Sequence, residues 1–225
     1  MRKNKFLVAA VAVAAAFTAF AISIVGASAS ETTSFTAAEY PAFVSGEQSE
    51  PSSATFTFES GLTASCEFGG FAGEIAEASS ELKVGPGFGG CTAFGSAEGS
   101  VEANGCELVL HPGSGSGDEF TGTFDVACPT GKKIAVKGGN CEVQIGSQTG
   151  LGPVAYDEVT AAEPDEVEAG FEMEAASGFA YTKTVDGTSC PLSGTGAKTD
   201  GVFGGGMKIR AGNIETLEPV AFGIE

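Results

Sequence analysis

Phe120-Thr121-Gly122-Thr123-Phe124-Asp125-Val126 sets Phe120, Phe124 and Val126 on alternate positions from Thr121, Thr123 and Asp125. A period of two sends successive side chains to opposite faces of an extended chain, so this stretch reads as a strand with one apolar and one polar face. The same alternation recurs outward in both directions. Phe56 and Phe58 alternate with Thr55, Thr57 and Glu59. Ile134 and Val136 sit between Lys133, Ala135 and Lys137. Val167, Ala169, Phe171, Met173 and Ala175 alternate with Glu168, Gly170, Glu172 and Glu174. Helical periodicity is scarce after residue 30. Gly-rich stretches separate the alternating segments: Gly85-Pro86-Gly87, residues 113–117, Gly138-Gly139 and Gly204-Gly205-Gly206 are expected as turns, and residues 45–53 as a polar loop. Many short strands joined by glycine turns predict an all-β fold, an antiparallel sandwich in preference to a barrel or a trefoil-like arrangement.

The ends of the chain predict export. Arg2, Lys3 and Lys5 precede an apolar run over residues 6–25 broken only by Thr18 and Ser23, and Ala27-Ser28-Ala29 supplies small residues for cleavage between Ala29 and Ser30. A basic start, an apolar middle and a small-residue end make a secretory leader over 1–29. An uncleaved anchor is the competing reading, since about 20 apolar residues can cross a bilayer. The remainder, 30–225, is expected as one disulfide-stapled domain, with a sub-boundary near 146–152 as the one place where it could divide. No later apolar run approaches membrane-spanning length, so no span is expected in the mature chain.

Six cysteines follow the leader: Cys66, Cys91, Cys106, Cys128, Cys141 and Cys190. An even number in an exported chain reads as three disulfides. Cys66-Glu67-Phe68, Cys106-Glu107-Leu108 and Cys141-Glu142-Val143 repeat one pattern, in which period two puts each Cys on the apolar face and each Glu on the solvent face. Each is followed by one further Cys, which predicts Cys66–Cys91, Cys106–Cys128 and Cys141–Cys190 among the 15 pairings that six Cys allow. The midpoint of the second pair falls in the 113–117 turn, and that of the third near Pro164-Asp165. Zinc is a poor reading, because no two Cys have the close spacing of zinc ligands and His111 is the single histidine.

The net charge of −18 becomes three units more negative when Arg2, Lys3 and Lys5 leave with the leader. Such a chain repels phosphate backbones, which argues against nucleic acid and anionic lipid and allows cations or basic proteins as partners. No residue is assigned a catalytic, cofactor-binding or metal-binding role. His111 precedes Pro112 and a Gly/Ser loop, where it is expected to be poorly held for general-base work. Gly113-Ser114-Gly115-Ser116-Gly117 misses the register of a nucleophile elbow. Gly85-Pro86-Gly87-Phe88-Gly89-Gly90 has the spacing of a dinucleotide-binding turn but lacks the following helix pattern. Residues 201–208 approach a phosphate loop with Met207 where Lys is required. Glu163, Asp165, Glu166 and Glu168 crowd one turn and offer oxygen ligands for calcium, but their spacing matches no calcium loop and a solvated acidic turn is the preferred reading. Sugar recognition by ring stacking is weakly supported by a chain with no Trp and three Tyr. The 14 Phe of the mature chain are expected in the core.

Phe35-Thr36-Ala37-Ala38-Glu39-Tyr40-Pro41-Ala42, Cys91-Thr92-Ala93-Phe94-Gly95, Asn104-Gly105-Cys106, Cys128-Pro129-Thr130-Gly131-Lys132, Gln148-Thr149-Gly150-Leu151 and Gly178-Phe179-Ala180-Tyr181-Thr182, in this order with six Cys, resemble a group of uncharacterised six-cysteine proteins secreted by actinobacteria. No activity is established for that group. The resemblance implies secretion and a shared cysteine framework and carries over no catalytic residue. The expected function is that of a secreted or envelope-associated, non-catalytic β protein with a binding or structural role. The alternatives are a diffusible acidic inhibitor or effector of a basic protein, and a secreted hydrolase using a carboxylate pair.

Overall fold

The computed structural model describes residues 33–48, 53–117, 119–159, 170–175, 178–184, 190–192 and 196–225, with side chains described except at 116, 158, 159 and 170–175. The leader with its Ala29–Ser30 cleavage site and the acidic turn of Glu163, Asp165, Glu166 and Glu168 lie outside the described residues. In chain order the strands are β1 (Phe35–Ala37), β2 (Ala42–Gln48), β3 (Ala54–Thr57), β4 (Thr63–Ile75), β5 (Leu82–Ala93), β6 (Ser96–Glu102), β7 (Glu107–His111), β8 (Gly115–Ser116) and β9 (Glu119–Ala127). They continue as β10 (Ile134–Gly138), β11 (Cys141–Ile145), β12 (Gln148–Val159), β13 (Gly170–Ala175), β14 (Phe179–Lys183), β15 (Gly196–Gly204), β16 (Gly206–Asn213), β17 (Pro219–Val220) and β18 (Phe222–Ile224). One 3-10 turn, Glu59–Gly61, stands between β3 and β4.

The fold is all-β, and it is a closed antiparallel barrel of eight strands with additional strands rather than a sandwich or a trefoil. The ring runs β4, β5, β7, β9, β12, β13, β16, β2 and back to β4. The additional strands close a second ring on the same hairpin: β4, β3, β15, β14, β11, β10, β6, β5 and back to β4. The shared hairpin explains how both close. Ala42↔Ile75 through Glu47↔Gly70 join β2 to one half of β4, and Ala54↔Cys66 through Thr57↔Thr63 join β3 to the other half. β5 divides likewise, with Leu82, Lys83 and Val84 on β7, and Cys91 and Ala93 on β6. Alternation is the same in a sandwich and in a barrel, because it reports faces. Closure depends on register and stagger.

Two expected loops are strands. Residues 85–90 lie inside β5, paired from Ala72↔Gly85 to Phe68↔Gly89, and Ser45 to Gln48 belong to β2. For Gly46 the reason is close packing, which recurs at two other strand glycines. Phe71 lies opposite Gly46, Phe43 opposite Gly212 and Phe179 opposite Gly201, and in each pair a Cβ on the glycine would run into the ring. Glycine in these strands makes room for a cross-strand aromatic ring, so the residue that signals a turn is here a packing surface. Gly201 and Gly204 likewise fall in β15, and only Gly205 separates it from β16. The expected turn at Gly138-Gly139 is present, with β10 and β11 joined after Gly138↔Cys141 and Gly139 at φ +57°. The stretch 146–152 leads into β12, which pairs with β9 on one side and β13 on the other.

All three disulfides join the expected partners: Cys66 to Cys91, Cys106 to Cys128 and Cys141 to Cys190. Cys66, Cys106 and Cys141 are buried, while Glu67 and Glu107 are exposed and Glu142 half-buried, as the alternation requires. The core is continuous across both rings. Tyr156, Phe35, Leu110, Ile209, Val44 and Val154 fill the first ring. Its end is closed by β1 pairing with β18, where Phe35 stacks on Phe222 and meets Tyr156 edge-on. Phe56, Phe58, Phe94, Phe179, Tyr181 and Phe203 form an aromatic cluster in the second ring. Of the phenylalanines assigned to the core, Phe68 departs most, being 68% exposed. Where the interiors meet, a cavity of about 30 Å³ is lined by Phe56, Phe88, Phe124, Ile145, Leu151 and Phe203 among other apolar groups. That is one water's share of liquid volume, far below a ligand chamber.

Candidate functional site

The chemistry-bearing side chains that come together lie where β7 meets β9. The Cys106–Cys128 link anchors this ladder, which then runs Glu107↔Ala127, Leu108↔Val126, Val109↔Asp125, Leu110↔Phe124 and His111↔Thr123. Phe124 and Val126 point inward and are buried, so Thr123 and Asp125 share the outer face of β9 with His111 across from them. His111 Nε2 lies 3.1 Å from Asp125 Oδ2, with 27% and 22% of the two side chains exposed. The other carboxylate oxygen, Oδ1, accepts a hydrogen bond from the Gly150 N–H at 2.7 Å. Gly150 holds φ +68°, a conformation costly for any residue with a Cβ, and so turns its N–H onto the carboxylate.

His111 is therefore the last residue of a paired strand, held by a carboxylate, rather than a loose loop histidine. With Nε2–H donating to Asp125, the neutral imidazole keeps Nδ1 as an acceptor. His111 borders an open groove of about 510 Å³ whose walls include Ser114, Thr121, Thr123, Pro112 and Pro153, and Asp125 stands behind it as its partner. Gly122 lets the strands close up beneath it, because a Cβ there would strike the His111 carbonyl. Tyr156 lies under the same strands, fully buried, and its hydroxyl donates to the Thr123 carbonyl at 3.4 Å. Burial pushes the phenol well above its ordinary pKa, so it stays neutral and serves packing.

A second polar cluster ties the 3-10 turn to the second ring. The Tyr181 hydroxyl donates to Asp200 Oδ1 at 3.1 Å and accepts from the Glu59 N–H at 3.0 Å, and Lys198 Nζ stands 3.1 Å from Glu59 Oε2. Burial pushes Tyr181 up to about 12; the Glu59 N–H opposes this, and Asp200 adds to it. Glu59 and Asp200 are the carboxylates gathered around one buried group, and both are bonded to neighbours that fix the turn.

Elsewhere, Glu74, Glu77 and Glu81 border a shallow groove with Lys83. Among the described residues, no cluster of three or more His, Cys, Asp or Glu is arranged to hold a metal ion, and no helix is long and apolar enough to cross a membrane. Asp125 escaped the sequence reading as a site residue. The signal was present: once Cys106 is paired with Cys128, counting along an antiparallel ladder puts His111 opposite Thr123 and diagonal to Asp125. No protein-family model matches the chain, and no curated protein or solved structure is similar to it.

Proposed function

We propose that this is an exported, non-catalytic protein of the cell exterior, secreted or held at the envelope, with a binding or structural role. The observation that carries the reading is the set of three disulfides locking two strand rings around a filled interior. Disulfides persist in oxidising compartments and are rare in reducing ones. The filled interior suits a rigid scaffold that presents its outer surface, and the seam cavity is too small for a carried ligand. The leader features at residues 1–29 and the net charge of −18 fit the same destination.

Fractionation of the producing cells tests the reading, with the mature protein followed in washed envelopes and in the medium. Retention on envelopes after leader removal supports a surface-held binding or structural role. Recovery in the medium favours the diffusible inhibitor or effector. Retention of the full chain in the cytoplasm, with reduced cysteines, overturns export altogether.

A further inference from the structure

We propose that the groove beside His111 and Asp125 binds a neutral, hydroxyl-rich chain, an oligosaccharide segment. This deepens the reading of the protein as an extracellular binding protein and rests on it.

The groove, of about 510 Å³, lies open along the surface, a shape that suits an extended chain laid across it better than an enclosed small molecule. Its chemistry narrows the occupant. An anion meets a chain of net charge −18 and finds no Lys or Arg in the groove lining to pair with. A hard cation finds one carboxylate whose oxygens are already bonded to His111 and Gly150, a poor start on the roughly six to eight oxygens calcium takes. A peptide strand finds no ladder to join here, because β7 is paired to β5 and β9, and β9 to β7, β8 and β12. What the groove offers is side-chain hydrogen bonding. The Ser114, Thr121 and Thr123 hydroxyls each donate and accept, and the His111 imidazole, held from behind by Asp125, adds a hydrogen-bonding nitrogen. Sugar hydroxyls, which also donate and accept, complement that set. Pro112 and Pro153 supply the apolar walls against which the C–H faces of a pyranose can lie, in place of aromatic rings.

The geometry around Asp125 prearranges the site. Both carboxylate oxygens and the imidazole are fixed before any ligand arrives, so little side-chain entropy remains to be lost on binding.

The test uses the oxidised mature protein on an array of neutral oligosaccharides, followed by NMR titration of the 15N-labelled protein with the strongest binder. Amide shifts grouped at 111–114, 121–125 and 150–153, with at least tenfold weaker binding by Thr123→Val and by Asp125→Asn, support the proposal. Both variants are first shown to melt as the wild type does. Thr123→Val keeps the branched shape and serves should Asp125→Asn loosen the loop at Gly150. Binding to no array member, shifts elsewhere, or undiminished binding by both variants overturns it. Envelope retention unaffected by both variants also overturns the groove assignment while leaving the extracellular role standing. Saccharide binding through this groove by a protein found only in the medium supports the assignment and counts against surface retention.

Discussion

The two strand rings share a hairpin but are held differently. In the first, β16 and β2 pair without interruption from Met207↔Gln48 to Asn213↔Ala42, and the shortest ladder, β5 with β7, has three pairs. Its interior is largely aliphatic around Tyr156, and the β1–β18 pair closes its end. In the second, among the described residues, β11 pairs with β14 at Val143↔Lys183 and Gln144↔Thr182, and β5 with β6 at Cys91↔Gly99 and Ala93↔Ser96. Aromatic rings fill it, with Phe58 and Tyr181 edge to face at 5.0 Å. One of the disulfides stands beside such a short ladder: Cys141–Cys190 ties β11 to the segment after β14. Cys66–Cys91 instead joins directly paired residues of the long β4–β5 hairpin, in the half that carries β3 and β6. A covalent link and aromatic packing thus accompany the sparse β11–β14 pairing.

The largest effect that can break this contrast comes from reduction. Loops of this size contribute about 3–4 kcal/mol each in the chain-entropy account, against about 5–15 kcal/mol for a whole domain, so full reduction abolishes the cooperative melt. Removing only Cys141–Cys190 with paired Ala substitutions costs about 4 kcal/mol. It is expected to strip amide-exchange protection from β11 and β14 before β2 and β16. Simultaneous loss in both rings would show that they unfold as one unit.

Next in size is Phe35→Ala, which empties a fully buried site between Phe222 and Tyr156 and is expected to cost about 3–5 kcal/mol in denaturant unfolding. A cost near that of a surface substitution would mean that the β1–β18 closure contributes nothing to the first ring.

Smallest is Tyr181→Phe. It removes the hydroxyl that joins the Glu59 N–H to Asp200 and is expected to cost about 1–2 kcal/mol. The same hydroxyl gives a pH signature. Its folded pKa of about 12 lies above the 10.0 ordinary for a phenol, so its contribution is complete below pH 10. That contribution is lost as pH rises from 10 through about 12. A stability profile from pH 9 to 12 that is unchanged by Tyr181→Phe would show that the phenol does not hold the second ring.

Much of the chain's architecture was legible because alternation and cysteine order report local facts. Phe124 and Val126 pack inward and Asp125 stays outward for the same reason that Phe124 and Val126 were assigned to one face. The disulfide partners followed from the Cys-Glu echo and the turns between them. Closure into a barrel was not legible, since it depends on where β4 changes partners from β2 to β3. The 85–90 stretch misled because its glycines are also accommodated in a strand, where their backbone pairs with β4 from Ala72↔Gly85 to Phe68↔Gly89. His111 misled because Pro112 and the glycines after it suggested a loop, whereas the ladder set by Cys106–Cys128 reaches one residue further than that signal implied.

Closing both rings has a colloidal consequence. An open sheet edge is a template on which a second molecule can add a strand, the first step toward fibrils or swapped assemblies. Here the two rings return on themselves, so strand addition to a ring must first break an intramolecular ladder, and the edges left over belong to strands of two or three residues such as β1, β8, β17 and β18. The acidic surface adds repulsion between approaching copies. A β-rich, glycine-rich chain of this kind can then be kept at high local concentration without sticking to itself.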